Sequence, residues 1–383
     1  MEKKDLEEYR NRISMLDDQI TALFSDRMNT AGNIAQFKKE NNLPVLDAIQ
    51  ERKRMNDILR KVPEDLHEYV RQLYSVIFEI SRSYQNKIIG NGSTLTDVIR
   101  KAIRNTPELF PDEASAACQG VEGANSQIAC DRLIRNANIM FFSNFDAVFS
   151  AVEKGLCRYG IIPLENSTAG SVNQVYDLMQ SHRFFIVRSV RVKIDHNLMA
   201  KPGTKLSEIR EIYSHEHAIA QCSRYLQSLK GVRAIACENT AAAAKLAAES
   251  DRRDIAALSS RGCAKIYGLA NLAEAVQNQG NNYTRFICIS KDLEIYPGAD
   301  RTSIMLTLPN EQGALYKLLS KFYALGINLI KLESRPIPDR DFEFRFYFDL
   351  DVPVYSPDFL QLMGEISGEY ENFNYLGSYS EVI

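Results

Sequence analysis

Residues 3–41 carry apolar side chains at three- and four-residue spacing. Leu6, Tyr9, Ile13, Leu16, Ile20, Leu23, Ala31 and Ile34 form one stripe, which predicts a single long amphipathic helix stopped before Pro44. Two shorter helices are expected at about 47–61 and 64–88, the second striped by Leu66, Val70, Leu73, Ile77, Ile80 and Tyr84. A long helix with two short partners lacks the neighbours to bury its own stripe, so a dimer of hairpins is expected. Arg27 and Lys38 fall within the stripe. Left unpaired in a core, each would cost several kcal/mol, against a total stability of roughly 5–15 kcal/mol. Something anionic is expected to meet them: a protein carboxylate or, failing that, a ligand.

Asp47 and Glu51 are one turn apart, as are Ser81 and Gln85, so each pair shares a helix face. With Arg27 and Lys38 they are candidates for one polar pocket in a helical bundle. Arg10 lies seventeen positions before Arg27, roughly 25 Å away along a straight helix. If it joins the pocket, it comes from a second copy of the helix. The plain alternative is a dimerisation module whose cations pair with Asp17, Asp26 or Glu51, or reach outward to water.

Gly90-Asn91-Gly92-Ser93 breaks the helical pattern, and 91–115 reads as a linker containing a helix. From about 116 to 292 short apolar runs (137–142, 159–163, 184–187, 211–213, 254–258, 285–290) alternate with helical segments, the pattern of an α/β domain. Small polar residues follow several of these runs: Asn166-Ser167-Thr168, Ser214-His215, Asn239-Thr240, Ser259-Ser260 and the turn Gly120–Ser126. Each alone suits an ordinary helix cap. Five in one domain point to strand ends and helix starts converging on a small anion. His215 is expected to line the cleft and His217 to lie at the surface; their spacing does not suit zinc. From 300 to 383 the order strand (302–308), helix (313–325), strands (328–334, 342–350), helix (357–369), strand (375–379) fits an α+β, ferredoxin-like domain.

With 383 residues, 45% hydrophobic and 25% charged, the chain has room for two or three globular domains. A net charge of -3 gives no general push toward nucleic acid or membrane. Seven scattered cysteines without CxxC spacing argue against a disulfide framework or a zinc site. No apolar stretch is long enough for a transmembrane helix and the first residues lack a signal-peptide core, so a cytoplasmic location is expected.

Three resemblances follow from these residues. Tyr9-Arg10-Asn11-Arg12-Ile13 with Asp17, Arg27, Lys38, Asp47, Glu51, Ser81 and Gln85 resembles the all-helical chorismate mutase domain, over residues 1–90. That likeness implies a swapped dimer, with Arg10 entering from the other subunit. It implies that Arg10 and Arg27 hold substrate carboxylates and that Lys38 and Gln85 donate to the ether oxygen. Asp47 and Glu51 would hold the ring hydroxyl, with Ser81 beside them. Gln50 departs from members that carry arginine there.

Asn282-Tyr283-Thr284-Arg285-Phe286 resembles the Thr-Arg-Phe signature of prephenate dehydratases, as do Glu165-Asn166-Ser167-Thr168, Tyr213-Ser214-His215 and Thr240. This implies a two-lobed, periplasmic-binding-protein-like fold in which Thr284 is essential. Arg285 is then expected to anchor a carboxylate and Phe286 to rest on the ring, although strict alternation sends Thr284 and Arg285 to opposite faces. Thr284 also reads simply as a β-former within a strand. The segment Gly120-Val121-Glu122-Gly123-Ala124-Asn125-Ser126 lacks the family's proline and aromatic. Asn310-Glu311-Gln312-Gly313-Ala314-Leu315 and Glu333-Ser334-Arg335-Pro336 resemble an ACT regulatory domain, the second its phenylalanine-binding segment; a loop glycine and a polar turn are the bland alternative.

Taken in order, the three are similar to the bifunctional chorismate mutase–prephenate dehydratase family. The resemblance implies chorismate and prephenate as substrates, phenylalanine as effector, no cofactor or metal, and a homodimer or higher homo-oligomer. The rival class is a ligand-sensing transcription regulator. It requires a basic recognition helix, and the balanced charge of the first ninety residues does not supply one.

Overall fold

The computed structural model describes residues 3–89, 94–338, 340, 342–370 and 372–382. The expected break at Gly90–Ser93 lies outside them. The elements in chain order are α1 (Lys3–Glu40), α2 (Ala48–Leu59), α3 (His67–Ile89), α4 (Thr94–Asn105), β1 (Glu113–Gln119), α5 (Asn125–Leu133), β2 (Asn136–Phe142), α6 (Phe145–Glu153), β3 (Tyr159–Asn166), β4 (Gly170–Ser171), α7 (Asn173–Leu178), β5 (Phe185–Lys193) and β6 (Asn197–Ala200). There follow β7 (Glu211–Ser214), α8 (Glu216–Gln221), α9 (Ser223–Ser228), β8 (Arg233–Ala236), α10 (Thr240–Glu249), β9 (Ile255–Ser259), α11 (Arg261–Ile266), β10 (Ala270–Ala273) and β11 (Tyr283–Ser290). The last are β12 (Arg301–Thr307), α12 (Ala314–Ala324), β13 (Asn328–Pro336), β14 (Phe344–Asp351), α13 (Pro357–Glu369), β15 (Asn374–Tyr379) and β16 (Glu381–Val382). The chain divides into two compact units: Met1–Val98 with Leu308–Asn328 and Tyr355–Glu371, and Ile99–Thr307 with Leu329–Val354 and Asn372–Ile383.

The first unit is helical. Asp47 caps α2 by accepting the Gln50 backbone N–H at 2.9 Å, which satisfies a donor the helix start leaves free. Where α1 meets α3 its stripe narrows to Ala31 and Ala35, both buried, as are Ser81, Gln85 and Ile89 of α3. The first half of the stripe finds no such cover. Leu6, Tyr9, Ile13, Leu16, Ile20 and Leu23 are 40–70% exposed in the single chain. The unit also holds α12 and α13. The segment expected as one body over 300–383 is thus shared: its helices fall in the first unit and its strands in the second.

The second unit contains three sheets. The largest runs β16-β5-β11-β3-β1-β2, with β4 added to β3. Apolar side chains cover both of its faces, Val148, Phe149, Ile162 and Ile287 on one and Ala116, Cys118, Ile161 and Cys288 on the other. Burial on both faces is why the sequence reads there as continuous apolar runs rather than alternation. Another sheet runs β10-β6-β9-β7-β8 and the third β13-β14-β12-β15. The third joins the first of these cores through Met305, Tyr347, Leu376 and Tyr379. At Gly377 (φ 135°) a Cβ would fall 2.2 Å from the Ile186 carbonyl oxygen, so only glycine lets β15 come this close to β5.

Candidate active sites

In the helical unit, Arg27 and Ser81 meet across α1 and α3. The guanidinium donates to the Ser81 hydroxyl and lies 5.8 Å from the centre of the Phe78 ring. Lys38, three turns further along α1, donates to the Val45 carbonyl at 2.5 Å. Neither cation has a carboxylate within ion-pair distance among the described residues. Burial pulls the Arg27 pKa down, and its direct hydrogen-bond partner is neutral. Gln85, one turn after Ser81, is buried, and its Oε1 has no hydrogen-bond partner among the described residues. Two half-buried cations thus have neutral partners, and an unsatisfied amide lies one turn from the Ser81 that meets the first, features that suit an anion. Glu51 is engaged: Arg82 donates to its two oxygens at 2.6 and 2.5 Å and also donates to Glu79. Asp47 is exposed at the start of α2, and Arg10 is exposed near the start of α1.

In the second unit the carboxyl ends of two sheets meet. β1 and β3 run parallel, as do β7, β8 and β9, so Gln119 and Asn166 open at the edge of one sheet and Ser214, Ala236 and Ser259 at the edge of the other. Links cross between the edges. Ser260 Oγ donates to the Gly123 carbonyl at 3.2 Å, and Tyr267 OH to the Glu122 carbonyl at 2.6 Å. At Gly123 (φ 87°) a Cβ would lie 2.7 Å from Cys263 Sγ, so the turn requires glycine.

Asn166 organises this edge. Its Oδ1 accepts from the backbone N–H groups of Thr168 (3.0 Å) and Ala169 (2.9 Å) and from the Thr168 hydroxyl (2.7 Å). Because backbone N–H groups only donate, they fix which end of the amide is oxygen. Its Nδ2 therefore donates to Thr284 Oγ1 at 2.9 Å and to Asn282 Oδ1 at 2.7 Å. Thr284 and Asn166 are register partners across β11 and β3. With Oγ1 already accepting from Asn166, the Thr284 hydroxyl proton is left to serve another acceptor. A cavity of about 480 Å³ adjoins this group, lined by Ser167, Thr168, His217, Gln221, Gln277 and Asn282 among others. Gln221 donates to Thr168 Oγ1 at 3.0 Å and accepts from Asn282 at 3.0 Å. His196 lies 2.9 Å behind Gln221, and burial holds its pKa below the usual histidine range despite that bond. Sequence gives Asn282 a place in the Thr-Arg-Phe motif but no site role, and it does not point to Gln221 or His196. Asn282 had a signal, two residues before Thr284; the other two had none.

Several expectations need correction. Arg285 does not join Thr284 in the cleft. It is 4% exposed, 2.8 Å from Glu165 and hydrogen-bonded to Asp349, because β11 still alternates at this point and turns Arg285 to the other face. Phe286 lies in the core, 3% exposed, rather than at the cleft surface. Ser214 is fully buried and donates to the Leu258 carbonyl at 2.7 Å, tying β7 to β9. Thr240 is half-buried in the first turn of α10, and the capping there falls to Asn239, which accepts from Ala242 N at 2.7 Å. His215 caps α8, its ring accepting the His217 N–H at 3.3 Å, and it is exposed His217 that lines the cavity.

In the C-terminal segment, Gly313 is left-handed (φ 81°) and starts α12; Asn310 is exposed, Ala314 buried and Leu315 half-buried. On β13, Glu333 accepts from Ser171 Oγ at 2.5 Å, and Arg335 clamps Asp177 at 2.8 and 2.9 Å. Both charges of this expected effector segment are thus held by the two-lobed region, and Ser334 and Pro336 are exposed.

Comparison with known proteins covers both regions. The sequence model described as chorismate mutase type II matches residues 9–86, and that of prephenate dehydratase matches residues 116–294. The chain is 35% identical over 281 residues to Arogenate dehydratase 2 of Petunia hybrida, covering 69% of this chain and 71% of that one. It is 30% identical over 359 residues to the bifunctional chorismate mutase/prephenate dehydratase of Buchnera aphidicola subsp. Acyrthosiphon pisum, covering 91% and 89%. The prephenate dehydratase of Arthrobacter aurescens, solved with L-Phe, superposes with a TM-score of 0.65 at 28% identity over 70% of this chain and 90% of that one. With both catalytic regions matched and a named relative aligned along nine-tenths of its length, the chain belongs to the bifunctional chorismate mutase/prephenate dehydratase family.

Proposed function

We propose that this chain is a cytoplasmic enzyme of phenylalanine biosynthesis that rearranges chorismate to prephenate in its helical unit and converts prephenate to phenylpyruvate in its two-lobed cleft. The observation that carries the first half is the partner set of Arg27 and Lys38: a serine hydroxyl and a backbone carbonyl, with no carboxylate among the described residues. The rearrangement needs no nucleophile and no proton transfer. It needs a dianion held in its folded, reactive shape and a donor at the ether oxygen where charge gathers. Arg27 holds a carboxylate; Lys38 and Gln85 meet the ether oxygen; Asp47 and Glu51 receive the ring hydroxyl beside Ser81. Arg10 serves the pocket of a second copy, whose helix also covers the exposed first half of α1.

In the cleft, loss of carbon dioxide and of the ring hydroxyl leaves an aromatic ring, and the departing oxygen needs a donor. Thr284 supplies it, since Asn166 occupies the acceptor side of its hydroxyl. The cavity lining is made of amides, hydroxyls, an imidazole and small side chains, with no carboxylate among the described lining residues. That favours the keto acid prephenate over its aminated counterpart arogenate, whose ammonium would seek an anion. Phenylalanine is taken to inhibit through the segments around Asn310–Leu315 and Glu333–Pro336. Purified protein given chorismate should release phenylpyruvate by way of prephenate. The Thr284→Ala variant should stop at prephenate, and a variant that still formed phenylpyruvate at the parent rate would refute the role of Thr284.

A further inference from the structure

A line of alternating charge runs through the helical unit. Glu51 of α2 is clamped by Arg82 of α3, Arg82 also donates to Glu79 one turn earlier, and Glu79 lies 2.9 Å from the ammonium of Lys321 on α12. Lys321 in turn donates to Glu369 on α13, its ammonium 6.0 Å from the centre of the Tyr370 ring. The links grow drier from Glu51 to Lys321, with side-chain exposures of 30% at Glu51, 22% at Arg82, 16% at Glu79 and 7% at Lys321, and reach water again at Glu369. Two further contacts pin the same helices together: Gln361 donates to the Ser83 carbonyl at 3.1 Å, and Ser83 Oγ lies 3.3 Å from Glu365.

We infer that Lys321, on a helix of the C-terminal segment, is a positioning residue for the mutase pocket, acting through Glu79 and Arg82 on the carboxylate of Glu51. This rests on the proposed mutase reading. A half-buried arginine with two carboxylate neighbours, such as Arg82, divides its donors according to how much negative charge each keeps. Lys321 neutralises part of Glu79 and so leaves Arg82 free to hold Glu51 with both contacts. Without the lysine, Glu79 has only Arg82 for compensation and draws the guanidinium away from α2. Glu51 then loses its fixed orientation toward the ring hydroxyl. The C-terminal helices thereby reach the mutase site through side chains that touch no substrate.

The test is steady-state mutase and dehydratase kinetics on the full chain carrying Lys321→Met, Lys321→Arg, Glu79→Gln or Lys321→Met with Glu79→Gln. Lys321→Met should raise the mutase KM roughly 3- to 10-fold with a smaller change in kcat, while dehydratase constants hold. Lys321→Arg should recover most of the loss. The double variant should fall well short of the product of the two single effects, because both act through Arg82. A lower melting temperature with unchanged mutase KM, or fully multiplicative single effects, would overturn the inference. An unchanged far-ultraviolet helical signal with a parent-like melting temperature reports that the helical unit of each variant has folded, and dehydratase activity reports the same for the second unit. A parent chain without mutase turnover would instead remove the reading of the pocket on which the inference depends.

Discussion

Arg27 and Arg285 were both expected to grip a substrate carboxylate, and they end in opposite surroundings. Arg27 is half-buried and bonded to a neutral hydroxyl. Arg285 is almost fully buried between Glu165 and Asp349, and these charges, with a nearby tyrosine, outweigh the burial that would lower its pKa and push it above the ordinary arginine range. One cation still waits for an anion and the other already has two. The difference lies in the elements that carry them. On a helix, neighbours three and four apart share a face, so a cation inside the α1 stripe stays on the face that packs against α3, where the Ser81 hydroxyl meets it. On a strand, the residue after Thr284 faces away from whatever Thr284 faces.

The sharpest way to break this comparison is to remove each arginine. Arg27→Ala should lower mutase kcat/KM by about 10²–10³-fold while stability changes by no more than about 1 kcal/mol, since no carboxylate among the described residues loses its partner. Arg285→Ala should do the reverse. It strands the buried carboxylate of Asp349 and leaves half-buried Glu165 with Lys331 alone, and should destabilise the second unit by about 3–5 kcal/mol in urea unfolding. Comparable stability losses for both variants would mean that Arg27 is a structural cation too.

A smaller effect separates the amide of Asn166 from its carbonyl. Asn166→Asp keeps the acceptor for Thr168 and Ala169 but removes the donor to Thr284. Dehydratase kcat should fall about tenfold, near the value of one hydrogen bond, with mutase kinetics unchanged. Equal kcat values would show that Thr284 needs no orienting partner.

The smallest effect is a difference in pH response between the units. Buried His196 resists protonation that its unfolded counterpart accepts, so the unfolded state gains protons as pH falls below about 6.5 and the second unit loses stability there. In the helical unit, burial would raise Glu79, but Lys321 and Arg82 outweigh it and hold its pKa below 4.5. Its contribution, full above that value, is lost only as pH falls through the lowered pKa. Between pH 6.5 and 5.5 the unfolding midpoint of the second unit should therefore drop more than that of the first, and His196→Gln should flatten the slope. A slope unchanged by that substitution would assign it to other groups.

Periodicity carried the helical unit well. The helices expected at 3–41 and 47–61 appear as Lys3–Glu40 and Ala48–Leu59, because long stripes and a capping Asp47 mark their ends. The strands Asn197–Ala200, Arg233–Ala236 and Ala270–Ala273 escaped notice, since four residues hold too little pattern to read. Thr284 and Asn166 were legible from their motifs, but the destination of Arg285 was not. Its partner Asp349 arrives from a strand some sixty residues later. Gln221 and His196 lie on no stripe and in no charged cluster, and only the assembled cleft brings them to Asn166. Likewise Glu51 looked free for a ligand until Arg82, on another helix, proved to hold it.

In the proposed mutase pocket, Arg27 and Lys38 are kept without carboxylate partners among the described residues so that a doubly negative substrate can take them. The most direct test is chorismate consumption by full-length Lys38→Ala alongside prephenate consumption by the same sample. Chorismate turnover should fall by about 10²–10³-fold while prephenate is converted at the parent rate. Chorismate turnover at the parent rate would contradict the claim.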